Sequence, residues 1–70
     1  MTREPVASKN IASVGYDHGS ETLEVEFKRG GTYRYLLVPK QTWQDLMRAA
    51  SHGRYLNEHV KGHYAAVKVG

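Results

Sequence analysis

Two short stretches hold the residues whose types and spacing suit chemistry. In "SHGRYLN", residues 51–57, a hydroxyl, an imidazole, a guanidinium and a carboxamide (Ser51, His52, Arg54 and Asn57) stand close together at what reads as a helix start. Free backbone amides at such a start attract anions. The stretch therefore reads either as a phosphate site, with Asn57 facing a base edge, or as a capped corner between helices. In "GGTYRYLLVP", residues 30–39, Tyr33 and Tyr35 flank Arg34. Aromatic rings beside a cation hold bases and phosphates. Alternate aromatic residues on a strand also build half of a small core. "KRGG", residues 28–31, sets Lys28 and Arg29 beside a glycine turn, where they would be peripheral phosphate contacts.

Other chemistries find little support. Of the four histidines, His59 and His63 have the i, i+4 spacing that brings two imidazoles to one side of a helix. No third ligand accompanies them, so neither a metal nor any other cofactor is expected. There is no G-x-S-x-G, no Walker loop and no cysteine nucleophile. The seven carboxylates are scattered, with no isolated pair whose pKa values could be split. The expectation is a non-enzymatic protein.

Composition bounds the answer further. A chain of 70 residues is at most one domain, and one this size buries only about 60% of its unfolded surface. With no cysteine, no disulfide reinforces it, so a homodimer or higher homo-oligomer is expected. Ten basic and seven acidic residues give a net charge of +3, which leans towards an anionic partner. No apolar run approaches the roughly 20 residues of a membrane span, and residues 1–10 lack the apolar core of a signal peptide. A cytoplasmic location is expected.

The elements that must position these residues follow from periodicity. Residues 1–10 lack any and read as a flexible tail, leaving 11–70 as a single domain. From Ile11 to Asp17 the apolar side chains Ala12, Val14 and Tyr16 recur with period two. Thr22 to Lys28 alternates Leu23, Val25 and Phe27 against Glu24, Glu26 and Lys28. Thr32 to Val38 forms a third strand. A three-residue loop, Arg29 to Gly31, would pair Phe27 with Tyr33, Val25 with Tyr35 and Leu23 with Leu37. Tyr33 and Tyr35 then face the core, and Arg34 faces outward, opposite Glu26. Pro39 opens a helix over about 40–50 with Trp43, Leu46, Met47 and Ala50 as its apolar stripe. Ser51 caps a second helix that buries Leu56 and Val60. Tyr64 to Val69 is a candidate fourth strand. The expected core is Val14, Tyr16, Leu23, Val25, Phe27, Tyr33, Tyr35, Leu37, Trp43, Leu46, Met47, Leu56 and Val60. The fold class is α+β: a three-stranded antiparallel meander with two C-terminal helices on one face.

The stretches "SKNIASVGYD" (8–17), "LEVEFKRGGTYRYLLVP" (23–39) and "ASHGRYLNEHVKGHY" (50–64) together resemble the KTSC domain family. This short domain is found at the C-terminus of some lysyl-tRNA synthetases and as a free-standing protein of bacteria and phages. Tyr33-Arg34-Tyr35 and the Ser51-x-Gly53-x-Tyr55 element followed by Asn57 carry the resemblance, with Leu56 where the family often has phenylalanine. Attachment to a synthetase implies RNA binding. Free-standing phage copies imply an alternative, an anti-defence protein that sequesters an anionic, cyclic nucleotide signal. A protein–protein interaction module, using an open sheet edge such as Ile11 to Tyr16, is the third class. The expected phosphate-bearing ligand would meet Arg34, Ser51, His52, Arg54 and Asn57, with Lys28, Arg29, Tyr33 and Tyr35 around them.

Overall fold

The computed structural model describes residues 1–70. The chain forms β1 (Arg3–Pro5), β2 (Ile11–Asp17), β3 (Thr22–Phe27), β4 (Thr32–Tyr35), α1 (Lys40–Arg48), α2 (His52–Tyr55), a π-helical turn (Leu56–Val60) and β5 (Ala66–Lys68). The strands make one antiparallel sheet in the order β1-β2-β3-β4-β5. The expected meander of three strands is thus the centre of a sheet of five. β5 is the candidate fourth strand, returning beside β4 after the helices. β1 is an unforeseen edge strand formed within the segment read as a tail. Three exposed residues, Arg3, Glu4 and Pro5, carry no alternation of polarity that would mark it.

The helices cover one face of the sheet. Val14 and Tyr16 on β2, Leu23 and Val25 on β3, and Tyr35 on β4 meet Leu46, Leu56 and Val60 in a continuous core. Phe27, Tyr33, Trp43 and Met47 pack against it partly buried. Trp43 lies flat on Tyr16, with ring centroids 5.1 Å apart. Ile11 also joins the core, although Ala12, Val14 and Tyr16 set the period. An irregularity in pairing between Ile11 and Ser13 inserts one extra residue. This bulge turns Ile11 to the face that Val14 and Tyr16 occupy.

The β3–β4 hairpin has the expected loop length but begins one residue earlier. The Phe27 N–H donates to the Gly31 carbonyl and the Gly30 N–H to the Phe27 carbonyl, each at 3.0 Å, enclosing Lys28, Arg29 and Gly30. Gly30 and Gly31 take φ of 109° and 89°, a region in which only glycine is relaxed. Val25 therefore pairs with Tyr33, Leu23 with Tyr35 and Glu24 with Arg34. The expected partners Phe27–Tyr33, Val25–Tyr35, Leu23–Leu37 and Glu26–Arg34 are each displaced by two residues. A slide of two preserves which face each side chain takes, so both tyrosines still point to the core and Arg34 still points outward.

The slide does remove Leu37 from the core. The strand ends at Tyr35, and Leu37 turns left-handed at φ 56° and is 73% exposed. Val38 is buried in its place. Its N–H donates to the Glu21 carbonyl at 2.8 Å, and its carbonyl accepts the Tyr16 hydroxyl. Those two bonds fix Val38 inward, and the chain reaches them only by reversing its twist at Leu37.

Pro39 precedes α1 as expected, with φ −61°. Ser51 caps α2 as expected, its hydroxyl accepting the Arg54 N–H at 3.2 Å. α2 then widens into the π turn, whose closing bond runs from the Lys61 N–H to the Leu56 carbonyl at 2.9 Å.

Leu46→Ala is expected to lower the unfolding free energy by about 2–5 kcal/mol. Leu37→Gly should leave it within about 1 kcal/mol of the parent, because relief of the left-handed backbone offsets the added chain entropy. Urea denaturation of the two variants checks both.

Candidate nucleic-acid interface

Where the β3–β4 hairpin meets the π turn, a cleft of about 760 Å³ opens on the helix-covered side of the sheet. Ile11, Phe27 and Leu56 give it an apolar lining, Tyr33 and Tyr35 add aromatic rings, and Arg29 and Lys61 bring cations. No aspartate or glutamate lines it. Neither Arg29 nor Lys61 takes part in an ion pair with the protein. The Lys61 ammonium stands 5.3 Å from the centre of the Phe27 ring, which itself meets Tyr33 edge to face at 5.8 Å.

Tyr35 shows how a core residue can serve this cleft. Its ring is buried, with the residue only 4% exposed. No protein group hydrogen-bonds its hydroxyl, yet no fully buried polar atom lacks a partner. The hydroxyl therefore opens on the cleft that Tyr35 lines. Burial first, and then neighbouring Tyr33, push its pKa above that of an ordinary tyrosine. At neutral pH it stays a protonated donor.

The rim is set by backbone bonds. The Lys28 N–H donates to the Asn10 carbonyl at 2.8 Å, tying the hairpin base to the segment before β2. The Ser8 hydroxyl accepts the Asn10 and Ile11 N–H groups at 3.3 and 3.2 Å. On the opposite side, the π turn buries both Leu56 and Val60, and Asn57 and Lys61 follow them onto the cleft.

The residues singled out from the sequence divide into four places. Arg29, Tyr33, Tyr35 and Asn57 meet at the cleft. Ser51, His52, Arg54 and again Asn57 line a second depression of about 600 Å³ beside it, together with Lys9 and Glu58. There, much of the polarity is satisfied internally. Ser51 caps Arg54, the His52 Nδ1 lies 2.8 Å from the Leu46 carbonyl, and Arg54 pairs with Glu58 at 2.7 Å. α2 is also only four residues long, too short to present the dipole that the helix-start reading relied on. Arg34 lies on the other face of the sheet, away from both depressions. Its guanidinium pairs with Glu24 at 2.8 Å, and Arg3 approaches the same carboxylate at 3.4 Å. Lys28, in the hairpin loop, is exposed and lines neither depression.

His59 and His63 do not form a pair. His59 packs on the Tyr55 ring with centroids 4.5 Å apart, while a His63 ring nitrogen lies 3.0 Å from the Glu58 carbonyl. No helix is long and apolar enough to cross a membrane.

The KTSC domain family profile matches residues 7–64, a span that holds the second depression and all of the cleft lining except Ala66. The chain belongs to the KTSC domain family. A KTSC domain protein from Yersinia pestis, solved by crystallography, is 42% identical and superposes with a TM-score of 0.96 over 99% of this chain and 97% of that one. A protein of Tsukamurella paurometabola is 41% identical over 64 residues, 91% of this chain and 96% of its own length. A lysine–tRNA ligase of Nostoc punctiforme is 35% identical over 54 residues, 77% of this KTSC chain and 10% of the ligase. The resemblance read from the sequence is therefore correct, and a lysine–tRNA ligase contains a segment similar to most of the domain.

Sequence reasoning did not single out Asn10 or Lys61. Both lie within the quoted stretches but carry no distinctive spacing there, and they reach the cleft through the Lys28 N–H bond to the Asn10 carbonyl and through the π turn that ends at Lys61. Gly62 after Lys61 marks a turn, but nothing local says that the turn faces the tyrosines.

Two carboxyls are held below the usual carboxylate range. A hydrogen bond from Arg54, then its charge, lowers Glu58, and the Ser20 hydroxyl lowers Asp17. Each binds its proton less readily when folded than when unfolded. Their stabilisation is thus complete above the ordinary carboxylate pKa of about 4 and is lost as pH falls through the lowered folded values. Urea midpoints are expected to drop between pH 5 and pH 2.5, and to drop less in the Asp17→Asn, Glu58→Gln double variant.

Proposed function

We propose that this KTSC domain is a non-catalytic module that binds single-stranded RNA at the cleft between the β3–β4 hairpin and the π turn. The observation that carries the reading is the charge inventory of the cleft. Its two cations are unpaired and no carboxylate lines it, whereas Arg34, Arg3 and Arg54 elsewhere are engaged by glutamates. Uncompensated cations beside tyrosine rings suit a ligand that carries both phosphates and bases. A double helix presents its bases stacked inside, so an unpaired strand is the form that can use the rings. The similar segment within a lysine–tRNA ligase supports an RNA partner.

The cleft volume favours a second reading. At about 760 Å³ it falls in the roughly 300–1,000 Å³ range of small-molecule pockets, so one anionic nucleotide would fit. Salt separates the two readings: a strand that tracks several phosphates loses affinity steeply as salt rises, and a single nucleotide loses far less.

The test is binding of a short uridine-rich RNA, followed by fluorescence anisotropy over a salt series. The Arg29→Ala, Lys61→Ala double variant should bind at least tenfold more weakly. Its salt slope should flatten by about 1.4, or about 0.7 for each phosphate of a single strand that is no longer neutralised. An Arg34→Ala, Arg54→Ala variant should bind close to the parent. The reverse pattern would move the site to the helix start and the outer sheet face.

A further inference from the structure

The cleft and the depression beside it share one wall. Asn10, Gly53 and Asn57 line both. Gly53 is the low point between them because it has no side chain. A Cβ there would stand 3.7 Å from the Asn10 Nδ2 and 3.9 Å from the Ser8 Oγ, ordinary contact distances, so any longer side chain would project into the passage. Gly53 does not have a positive φ. It sits inside α2, where alanine is the better helix former by about 1 kcal/mol. Its backbone conformation therefore gives no reason for a glycine at this position.

The carboxamides of Asn10 and Asn57 add a second observation. They come from different elements, both line the two depressions, and neither makes a hydrogen bond within the protein. Each offers two donors and an acceptor. Beyond the passage, the second depression supplies Lys9, which makes no ion pair, and Ser51, beside the Arg54–Glu58 pair.

We propose that Gly53 is a saddle over which a single nucleic-acid strand passes, so that the two depressions are successive subsites of one track. One base sits against the Tyr33 ring in the cleft, within reach of the Tyr35 hydroxyl. The following phosphate crosses Gly53 between the Asn10 and Asn57 carboxamides. The next nucleotide lies in the depression beside Lys9 and Ser51. This rests on the RNA reading of the cleft and deepens it, because the bound unit becomes two or more linked nucleotides rather than one.

The experiment compares uridine monophosphate, the dinucleotide UpU and a five-nucleotide oligouridylate on the intact chain and on two variants, Gly53→Ala and Gly53→Leu. On the intact chain the dinucleotide is expected to bind at least tenfold more tightly than the monophosphate, since it occupies both subsites. Gly53→Leu should weaken the pentanucleotide at least tenfold more than it weakens the monophosphate. Gly53→Ala should melt no lower than the parent, which shows that the position tolerates a side chain. A pentanucleotide that binds Gly53→Leu as tightly as the parent would overturn the saddle while leaving RNA binding intact. So would a dinucleotide that gains nothing over the monophosphate, a measurement that needs no variant to fold. Failure of every oligonucleotide to bind the intact chain would overturn the RNA reading, and the saddle with it.

Discussion

The hairpin loop closed between Phe27 and Gly31 decides where most of the functional chemistry lies. Two backbone hydrogen bonds and two left-handed glycines set its length. That length sets the parity of β4 against β3, and parity sets the destination of every side chain from Tyr33 to Tyr35. With this parity, two aromatic rings join the helix-covered face and the arginine between them goes to the other. The same loop carries Arg29 to the mouth of the cleft. A change of loop length by one residue would exchange the faces. The tyrosines would then lie in solvent and Arg34 against the core, a cost the small domain could not absorb.

Charge is distributed in step with that division. The outer face holds Glu24, only 8% exposed, between Arg3 and Arg34, while Glu26 accepts the Ser13 hydroxyl at 2.8 Å. Acidic and basic groups there largely answer one another. Burying Glu24 under two guanidiniums is tolerable because each of them bonds it while remaining partly in water. Lys9, Lys28, Arg29, Lys40, Arg48, Lys61 and Lys68 make no ion pair, and two of them, Arg29 and Lys61, stand at a cleft that no carboxylate lines.

Much of this architecture was legible because it is written locally. The alternation of Leu23, Val25 and Phe27, the stripe of Trp43, Leu46 and Met47, and the cap at Ser51 depend on neighbours a few residues away. What escaped was decided at a distance. The bulge at Ala12 exists because Ile11 is needed against the helices, and the inward turn of Val38 depends on Tyr16 and Glu21. β1 has too few residues for alternation to show. At the site, Tyr33, Tyr35, Arg29 and Asn57 carried recognisable chemistry. Arg34 looked equally available, and only the register of the sheet reveals the carboxylate that occupies it. Asn10 and Lys61 fall within quoted stretches without distinctive spacing, and only the folded chain places them at the cleft.

β5 gives the cleft an uneven mechanical character. Ala66, at its start, lines the cleft, yet all three residues of the strand are exposed and the core holds none of them. The strand is attached through pairing to β4, with Tyr35 opposite Ala66 and Tyr33 opposite Lys68. Little buried apolar surface opposes its detachment, so its opening free energy lies well below that of the sheet's centre. The far wall, built on Leu56 and Val60, is locked into the core. The cleft thus has one rigid jaw and one compliant one. A guest can be accommodated by displacing β5 without disturbing the packing beneath Tyr35, so variation in guest size would be taken up at the edge of the sheet rather than in its interior.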